Sequence, residues 1–221
     1  MVSLSASDIK FYYTGEATGP SDAHLSLGES ISPNTIPDVV NNIFDDITGD
    51  ESSSGVTHYR AIAIKDTSTE ADMINPRIWI DGYVRSGDVP DTIYIAATTF
   101  SLNSNTMGVT SSETVAPDED AGLIWVVEGS PSNTIGYDSN SVPTTVPNSF
   151  SDATLDAGGW IGLWIKRVVP SGASAFSGRA FTIGIRCETT ASPIAHTITM
   201  YYTFRYYRGV PILEDIKKIV Q

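Results

Sequence analysis

Two segments of alternating apolar residues, joined by a short turn-rich connector, limit most strongly what this chain can fold into. They lie between residues 158 and 189. The first segment puts aliphatic side chains on one side and two tryptophans and a lysine on the other: Ile161, Leu163 and Ile165 against Trp160, Trp164 and Lys166. The second segment repeats this alternation with Phe181, Ile183, Ile185 and Cys187. A period of two is typical of half-buried β-strands, so we predict two antiparallel core strands here.

Six further segments show strand-like patterns, separated by polar stretches rich in glycine, proline, serine and asparagine. They are residues 9–13, 57–65, 77–84, 92–100, 123–127 and 196–206. About eight short strands with turn signals between them predict an all-β fold, an antiparallel β-sandwich or a jelly-roll-like arrangement with long polar loops. Because no linker divides the chain, we predict a single β-sandwich domain over residues 1–221.

Two other segments have apolar residues at helical spacing. Residues 36–46 predict a short helix or an irregular turn, and residues 45–55 that follow predict a loop. Near the end of the chain, the same spacing predicts a short C-terminal helix with Ile212, Leu213, Ile216 and Ile219 on one side. A helix this short needs a surface to pack on. We therefore predict that residues 208–221 dock on a neighbouring subunit through these four side chains.

The remaining long segments are polar. Residues 101–120 predict a loop, and residues 130–157 predict either an extended surface loop or one weak strand. The single cysteine, Cys187, excludes an internal disulfide framework, and its place on the apolar side of a strand predicts a buried, unreactive thiol.

The charge of the chain limits its partners. It has 221 residues with 13 lysines and arginines against 26 aspartates and glutamates, a net charge of -13. Nucleic acids and anionic membranes attract positive charge, so we expect neither as the main partner. The N-terminal residues lack the basic and apolar regions of a signal peptide, and no apolar run is long enough to span a bilayer. We expect a protein that is made and folded in a reducing cytoplasm.

The sequence nominates no catalytic centre. The three histidines, His24, His58 and His196, lie in different segments without metal-ligand spacing. His58 and His196 stand at strand starts, where we expect surface or turn roles. No nucleophile elbow, zinc-protease motif or phosphate-binding loop occurs. We therefore predict no catalytic residue, no metal and no cofactor, and a protein that is not an enzyme.

Two acidic loops offer the hard oxygen ligands that calcium takes. One contains Asp45, Asp46, Asp50 and Glu51, and the other contains Asp118, Glu119 and Asp120. Neither matches the spacing of the twelve-residue helix–loop–helix calcium site. We favour the interpretation that these are solvated loop charges, with aspartates at turns.

The tryptophans allow two interpretations. Trp160 and Trp164 share one side of a predicted strand, and could form a platform on which a sugar stacks. Packing against a second layer or a neighbouring chain is the interpretation that we favour. Long polar loops on a regular frame also suit a protein that acts through binding.

Several segments, taken in order, resemble a known group of proteins. They are Ile9-Lys-Phe-Tyr-Tyr-Thr-Gly, Leu25-Ser-Leu-Gly-Glu-Ser-Ile-Ser, Asn42-Ile-Phe-Asp-Asp-Ile-Thr-Gly-Asp-Glu-Ser, His58-Tyr-Arg-Ala-Ile-Ala-Ile-Lys-Asp-Thr, Ala157-Gly-Gly-Trp-Ile-Gly-Leu-Trp-Ile-Lys-Arg-Val-Val-Pro-Ser-Gly-Ala and Phe181-Thr-Ile-Gly-Ile-Arg-Cys-Glu-Thr-Thr. This ordered set resembles uncharacterised virion structural proteins of tailed bacteriophages and related viruses, of tail, fibre or decoration type. The resemblance covers most of residues 9–190 and supplies no catalytic residues.

The resemblance implies a non-enzymatic structural component of a virus particle, in the tail, baseplate or neck or on the capsid surface. Its partners would be other virion proteins, and copies of the chain would form a symmetric homo-oligomer. Its place would be the virion, assembled in the host cytoplasm. The alternative is a receptor- or carbohydrate-binding module for host attachment, with a host surface glycan as partner and Trp160 and Trp164 as platform.

Overall fold

The structure is a computed structural model, and it describes residues 4–15, 19, 22–37, 39, 41–84, 91–98, 107–128, 133–138, 140–145, 153–173, 179–189 and 202–206. These residues form one short α-helix, α1 (Gly49–Ser54), and the following strands: β1 (Ile9–Thr14), β2 (Gly28–Glu29), β3 (Ile31–Thr35), β4 (Val56–Asp66), β5 (Met73–Val84), β6 (Thr92–Ala97), β7 (Met107–Val109), β8 (Val126–Val127), β9 (Ile135–Tyr137), β10 (Pro143–Thr145), β11 (Thr154–Leu155), β12 (Trp160–Val169), β13 (Arg179–Thr189) and β14 (Tyr202–Tyr206). The predicted all-β sandwich is confirmed.

The strands form two large antiparallel sheets and one small one. The first sheet has the order β3-β1-β4-β12-β6-β8. The second has the order β10-β9-β5-β13-β14, with β11 also paired to β5. The small sheet pairs β2 with β7.

The two alternating segments that dominate the sequence, β12 and β13, lie in different sheets. β12 pairs with β4 over ten residues and with β6 on its other side. β13 pairs with β5 and β14. The connector after Val169 therefore carries the chain from one sheet to the other, and each segment is a central strand of its own sheet. Both are antiparallel to their neighbours, but they do not pair with each other.

In the described residues, the largest apolar cluster lies between the two large sheets. It takes alternate side chains from both, including Phe11, Ile62, Ile64, Ile93, Ile95, Ile161, Leu163 and Ile165 from the first and Ile78, Ile135, Phe181, Ile183, Ile185 and Cys187 from the second. Full burial of one such large aliphatic or aromatic side chain contributes about 1.5–3 kcal/mol. Cys187 is buried, as predicted, and this burial raises the pKa of its thiol to about 12.

Of the two alternatives predicted for residues 36–46, the structure shows the irregular turn, and the α-helix lies further along the chain. Within the described residues of 36–46, the chain forms turns, with Asn41 at a φ of 58°. Helix α1 begins after Thr48, in the segment predicted to be a loop. The Thr48 hydroxyl accepts a hydrogen bond from the Glu51 N–H, and Glu51 reaches back to the Thr48 N–H, which forms a capping box. Three apolar residues of this segment, Ile36, Ile43 and Phe44, instead enter the core from an irregular turn, while Val39 is exposed.

Several other boundaries differ from the prediction. The segment 101–120 contains β7, and the segment 130–157 contains three short strands instead of at most one. The predicted strand 123–127 is reduced to the two residues of β8. β14 covers the last five residues of the predicted strand 196–206, and the rest of that segment lies outside the described residues. The predicted C-terminal helix, with Ile212, Leu213, Ile216 and Ile219, also lies outside them.

Gly184 in β13 is a close-contact position. Its cross-strand partner in β5 is Trp79, and a methyl group at position 184 would collide with the Trp79 ring. At Gly82, further along β5, a methyl group would meet nothing within 4 Å. Gly184 therefore makes room for the Trp79 indole, whereas Gly82 has no such role.

We therefore expect Gly184→Ala to lower the free energy of unfolding by about 1–3 kcal/mol, because an overpacked site must shift side chains or backbone. Gly82→Ala is the matched control, and its change should stay within about 0.5 kcal/mol. Urea unfolding followed by tryptophan fluorescence measures both. Equal values for the two variants would contradict the packing of Trp79 on Gly184.

Candidate functional site

Three basic side chains lie inside the sandwich, at one end of the core face of the first sheet. On β4, His58 and Arg60 have the same parity as Ile62 and point to the same side. On β12, Arg167 continues the inward-facing series of Ile165. The relative exposures of His58, Arg60 and Arg167 are 3%, 1% and 1%. We call these three residues the basic cluster. Charged groups are rarely buried to this extent unless they are paired.

Arg167 lies opposite His58 across the β4–β12 pair, and the two side chains contact each other directly. Arg167 Nη2 lies 2.7 Å from His58 Nδ1, and Arg167 Nη1 donates to the Asp45 carbonyl oxygen at 2.9 Å. A guanidinium group can only donate, so His58 Nδ1 must be the acceptor. The His58 ring is therefore neutral, with its proton on Nε2.

Three carboxylates, which we call the acidic rim, lie between the basic cluster and the surface: Asp45, Glu51 and Glu113. Arg60 Nη2 forms an ion pair with Glu113 Oε2 and lies 3.7 Å from Asp45 Oδ2. His58 Nε2 lies 3.3 Å from Glu51 Oε1 and 4.0 Å from Glu113 Oε1. The rim supplies negative charge to the basic groups from two regions of the chain, residues 45–51 and the segment at Glu113.

One aromatic ring separates the two arginines from the rest of the core. The guanidinium carbon of Arg167 lies 4.4 Å from the centre of the Phe44 ring, and that of Arg60 lies 5.8 Å from it. Phe44 is fully buried. A cation over an aromatic face is attracted by the ring quadrupole, and this attraction grows when water is excluded. The irregular turn before α1 is thus fixed to the sheet by Phe44 as well as by Asp45.

The pKa values report this environment. Burial, followed by the charge of Arg167, lowers the pKa of His58 to about 4, so the ring is neutral at pH 7. Burial also lowers the pKa of Arg167 to about 10, and this group stays charged. For Glu113, burial raises the pKa, but the hydrogen bond and charge of Arg60 outweigh it and hold the pKa below its usual value. The pKa of Asp45 is raised, mainly by burial.

This arrangement is well suited to hold loops and poorly suited to move protons. The His58 Nδ1 lone pair is occupied by Arg167, so the ring is not free to act as a general base. Arg167 and Arg60 instead connect two β-strands to the turn at Asp45 and to the segment at Glu113. Tyr59 adds a backbone link, because its N–H donates to the Glu113 carbonyl oxygen at 2.6 Å.

The two tryptophans of the predicted ligand platform have different environments. Both lie on the outer face of the first sheet, where they pack with Ala61, Ala96, Met107, Tyr59, Leu123 and Trp125. Trp164 is fully buried, and its indole N–H donates to Glu119 Oε1. Trp160 is half-buried. The buried Trp164 ring offers no face for sugar stacking, which weighs against a two-tryptophan platform and agrees with the favoured packing interpretation.

The two acidic loops are not simply solvated. In the second loop, Asp118 and Glu119 accept hydrogen bonds from the N–H groups of Val109 and Gly108, both at 2.9 Å. Asp120 accepts one from the Trp125 indole at 3.0 Å. These carboxylates fasten the loop over the outer face of the first sheet. In the first loop, Asp45 and Glu51 belong to the acidic rim.

The surface or turn role predicted for His58 is wrong, and Arg60 and Arg167 were not singled out from the sequence at all. A signal for these residues was present. The alternation of Ile62 and Ile64, which face the core, extends back along β4 to Arg60 and His58. Charged residues in an inward-facing register point to a buried charge network. Their carboxylate partners come from distant loops, and no local pattern identifies them.

Comparison with known proteins gives only distant structural likenesses. No family model matches the chain. No curated protein matches it. Among solved structures, it is similar to a family 123 glycoside hydrolase from Clostridium perfringens described for glycolipid glycan hydrolysis, with 11% identity and a TM-score of 0.32. The likeness covers 76% of this chain but only 23% of that one, so this chain spans about a quarter of the length of that hydrolase.

A second solved structure is AvmM, which is described as catalysing macrocyclization in alchivemycin A biosynthesis. It is 8% identical, with a TM-score of 0.34, and the likeness covers 73% of this chain and 85% of that one. Likenesses this low support no assignment of activity to this chain. Within the part of the chain that the structure describes, no helix has the length and apolar character needed to cross a membrane.

Because the basic cluster depends on its partners, we expect Arg167→Met to lower the free energy of unfolding by about 3–5 kcal/mol. The substitution keeps an unbranched chain but leaves His58 Nδ1 and the Asp45 carbonyl oxygen without their donor. The matched control is Lys166→Met, at the next position on the outer face, where the ammonium group lies 4.0 Å from the Trp125 ring. Its loss should be about 1 kcal/mol or less.

Urea unfolding monitored by circular dichroism measures both variants, which carry the same change of charge. A loss for Arg167→Met as small as that for Lys166→Met would show that the cluster does not fix the loops to the sheet.

Proposed function

We propose that this protein is a non-enzymatic structural component of a tailed-virus particle, which acts through protein–protein assembly. The ordered sequence segments that resemble virion structural proteins motivate the proposal. The observation that carries it is an end of the sandwich where hydrogen-bonded segments carry exposed apolar side chains. On the segments that lead to and from the acidic rim, Leu25, Val109 and Val115 are 61%, 44% and 46% exposed.

These three side chains lie on segments that are joined to each other. The Thr110 N–H donates to the Leu27 carbonyl oxygen at 3.0 Å, and the Thr110 hydroxyl donates to the Val115 carbonyl oxygen at 2.7 Å. β2 and β7 pair beside them. An exposed apolar side chain on an ordered segment binds a partner with little further loss of conformational entropy.

The segments are also anchored to the sandwich. His24, which precedes Leu25, lies 2.9 Å from Asp45 through Nδ1, and Glu113, two residues before Val115, pairs with buried Arg60. A preordered surface suits a component that must present the same contact in every copy of a symmetric particle. The buried charges have a structural role in this proposal, and no residue is assigned to catalysis.

The native mass of the purified chain tests assembly. We expect light scattering over a concentration series to give a discrete multiple of the 23.7 kDa chain, with a symmetric number of subunits. Leu25→Asp should shift this distribution to smaller species, because a charge in an apolar contact loses its hydration. Lys10→Asp, a change on an exposed residue of β1, is the control. A monomer at every concentration would contradict self-assembly.

Removal of residues 211–221 tests the predicted docking segment. We expect the truncated chain to keep its sandwich fold by circular dichroism but to lose part of its oligomeric mass, because the four apolar side chains of that segment are removed. A full-length variant with Lys217 and Lys218 replaced by serine retains those side chains and should keep the wild-type mass. An unchanged mass after truncation would show that the segment does not hold subunits together.

A further inference from the structure

We propose that His24, Asp45 and Glu113 form a binding site for a divalent metal ion, and that zinc is the ion that fits it. Each of these residues offers one ligand atom, and the three atoms lie within 4.8 Å of one another. The residues come from the turn at 23–25, the turn before α1 and the segment after β7, so the fold alone brings them together. Such a site would be present whether or not the protein assembles into a particle.

The geometry is close to that of a coordination shell. His24 Nδ1 lies 2.9 Å from Asp45 Oδ2. Two ligand atoms that each lie about 2.0–2.2 Å from a tetrahedral ion are roughly 3–4 Å apart. The His24 and Asp45 side chains therefore need only a small movement to coordinate the same ion. Glu113 is held in position by Arg60, which contacts one carboxylate oxygen, Oε2.

The ligand types select the ion. One imidazole nitrogen and two carboxylate oxygens are a set that zinc accepts, with water in the remaining position. Calcium prefers six to eight oxygen ligands, and magnesium prefers a shell made mainly of water and carboxylates. His24 is therefore the residue that distinguishes zinc from these two ions.

A second observation points to a ligand in the same place. His58 is buried, and within the described residues its Nε2 makes no hydrogen bond of good geometry; the Glu51 Oε1 atom lies 3.3 Å away. Because Arg167 occupies Nδ1, Nε2 carries the proton and cannot itself bind a metal. This buried N–H lies 4.0 Å from Glu113 Oε1. A hydroxide on a zinc ion beside Glu113, formed from zinc-bound water, would give this N–H an acceptor.

The local charge also favours a cation. Asp45 and Glu113 supply two negative charges, and the Arg60 guanidinium group beside them supplies one positive charge, with Nη2 paired to Glu113 Oε2 and 3.7 Å from Asp45 Oδ2. One negative charge is left for a cation to balance. The site is reachable from solvent, because the His24 side chain is 52% exposed and that of Asp45 is 35% exposed.

Isothermal titration of the full chain with zinc chloride, after removal of metals by a chelator, tests the inference. We expect one saturable site, and at least tenfold weaker binding for His24→Ala and for Asp45→Asn. The matched control is Asp46→Asn, because Asp46 is the adjacent carboxylate and contacts Asn41 instead of His24. It should bind zinc as the wild type does. Calcium and magnesium chloride should give no saturable heat at the same concentrations.

His24 is exposed, so His24→Ala is expected to fold, and circular dichroism of each variant checks this. Absence of saturable zinc binding by the folded wild-type chain would overturn the inference. Binding by His24→Ala with unchanged affinity would overturn it as well, because the ion would then lie elsewhere. The native mass is measured separately, with and without zinc, so failure of assembly and failure of metal binding are distinguishable.

Discussion

The pairing of buried charge with surface loops is the constraint on which this structure depends. Arg60 and Arg167 point inward on the first sheet beside the neutral His58, where an uncompensated charge would cost several kcal/mol. Compensation comes from Asp45, Glu51 and Glu113, which lie on segments without long strands. The loops are therefore positioned by electrostatics as well as by backbone pairing. The stability of the sandwich therefore depends on the conformation of these loops.

The two faces of the first sheet use charge in different ways. On the inner face, guanidinium groups are satisfied by carboxylates and by the Phe44 ring. On the outer face, carboxylates are satisfied by backbone N–H groups and by the indoles of Trp125 and Trp164. In both cases, polar contacts hold a loop over an end or a face of the first sheet. An acidic composition is thus used partly for structure and not only for solubility.

Alternation in the sequence predicted the sandwich and most of its long strands, because the period of two appears directly in β4, β12 and β13. It did not predict that β12 and β13 lie in different sheets, since pairing partners depend on residues far away in the chain. Residues 36–46 form the irregular turn that was one of the two predictions, whereas helix α1 was missed because its Thr48–Glu51 capping box lies in a segment predicted to be a loop. The acidic rim could not be predicted, because its members converge only through the fold.

The position of β12 and β13 has a consequence for how the chain reaches its native state. Both central strands come from the last third of the sequence, while β4 and β5, their partners, come from the first half. During synthesis, β4 and β6 have no strand between them until residue 169 has left the ribosome. Until then, the earlier strands have unpaired edges and exposed apolar faces. Topologies of this kind fold slowly and favour contact with chaperones.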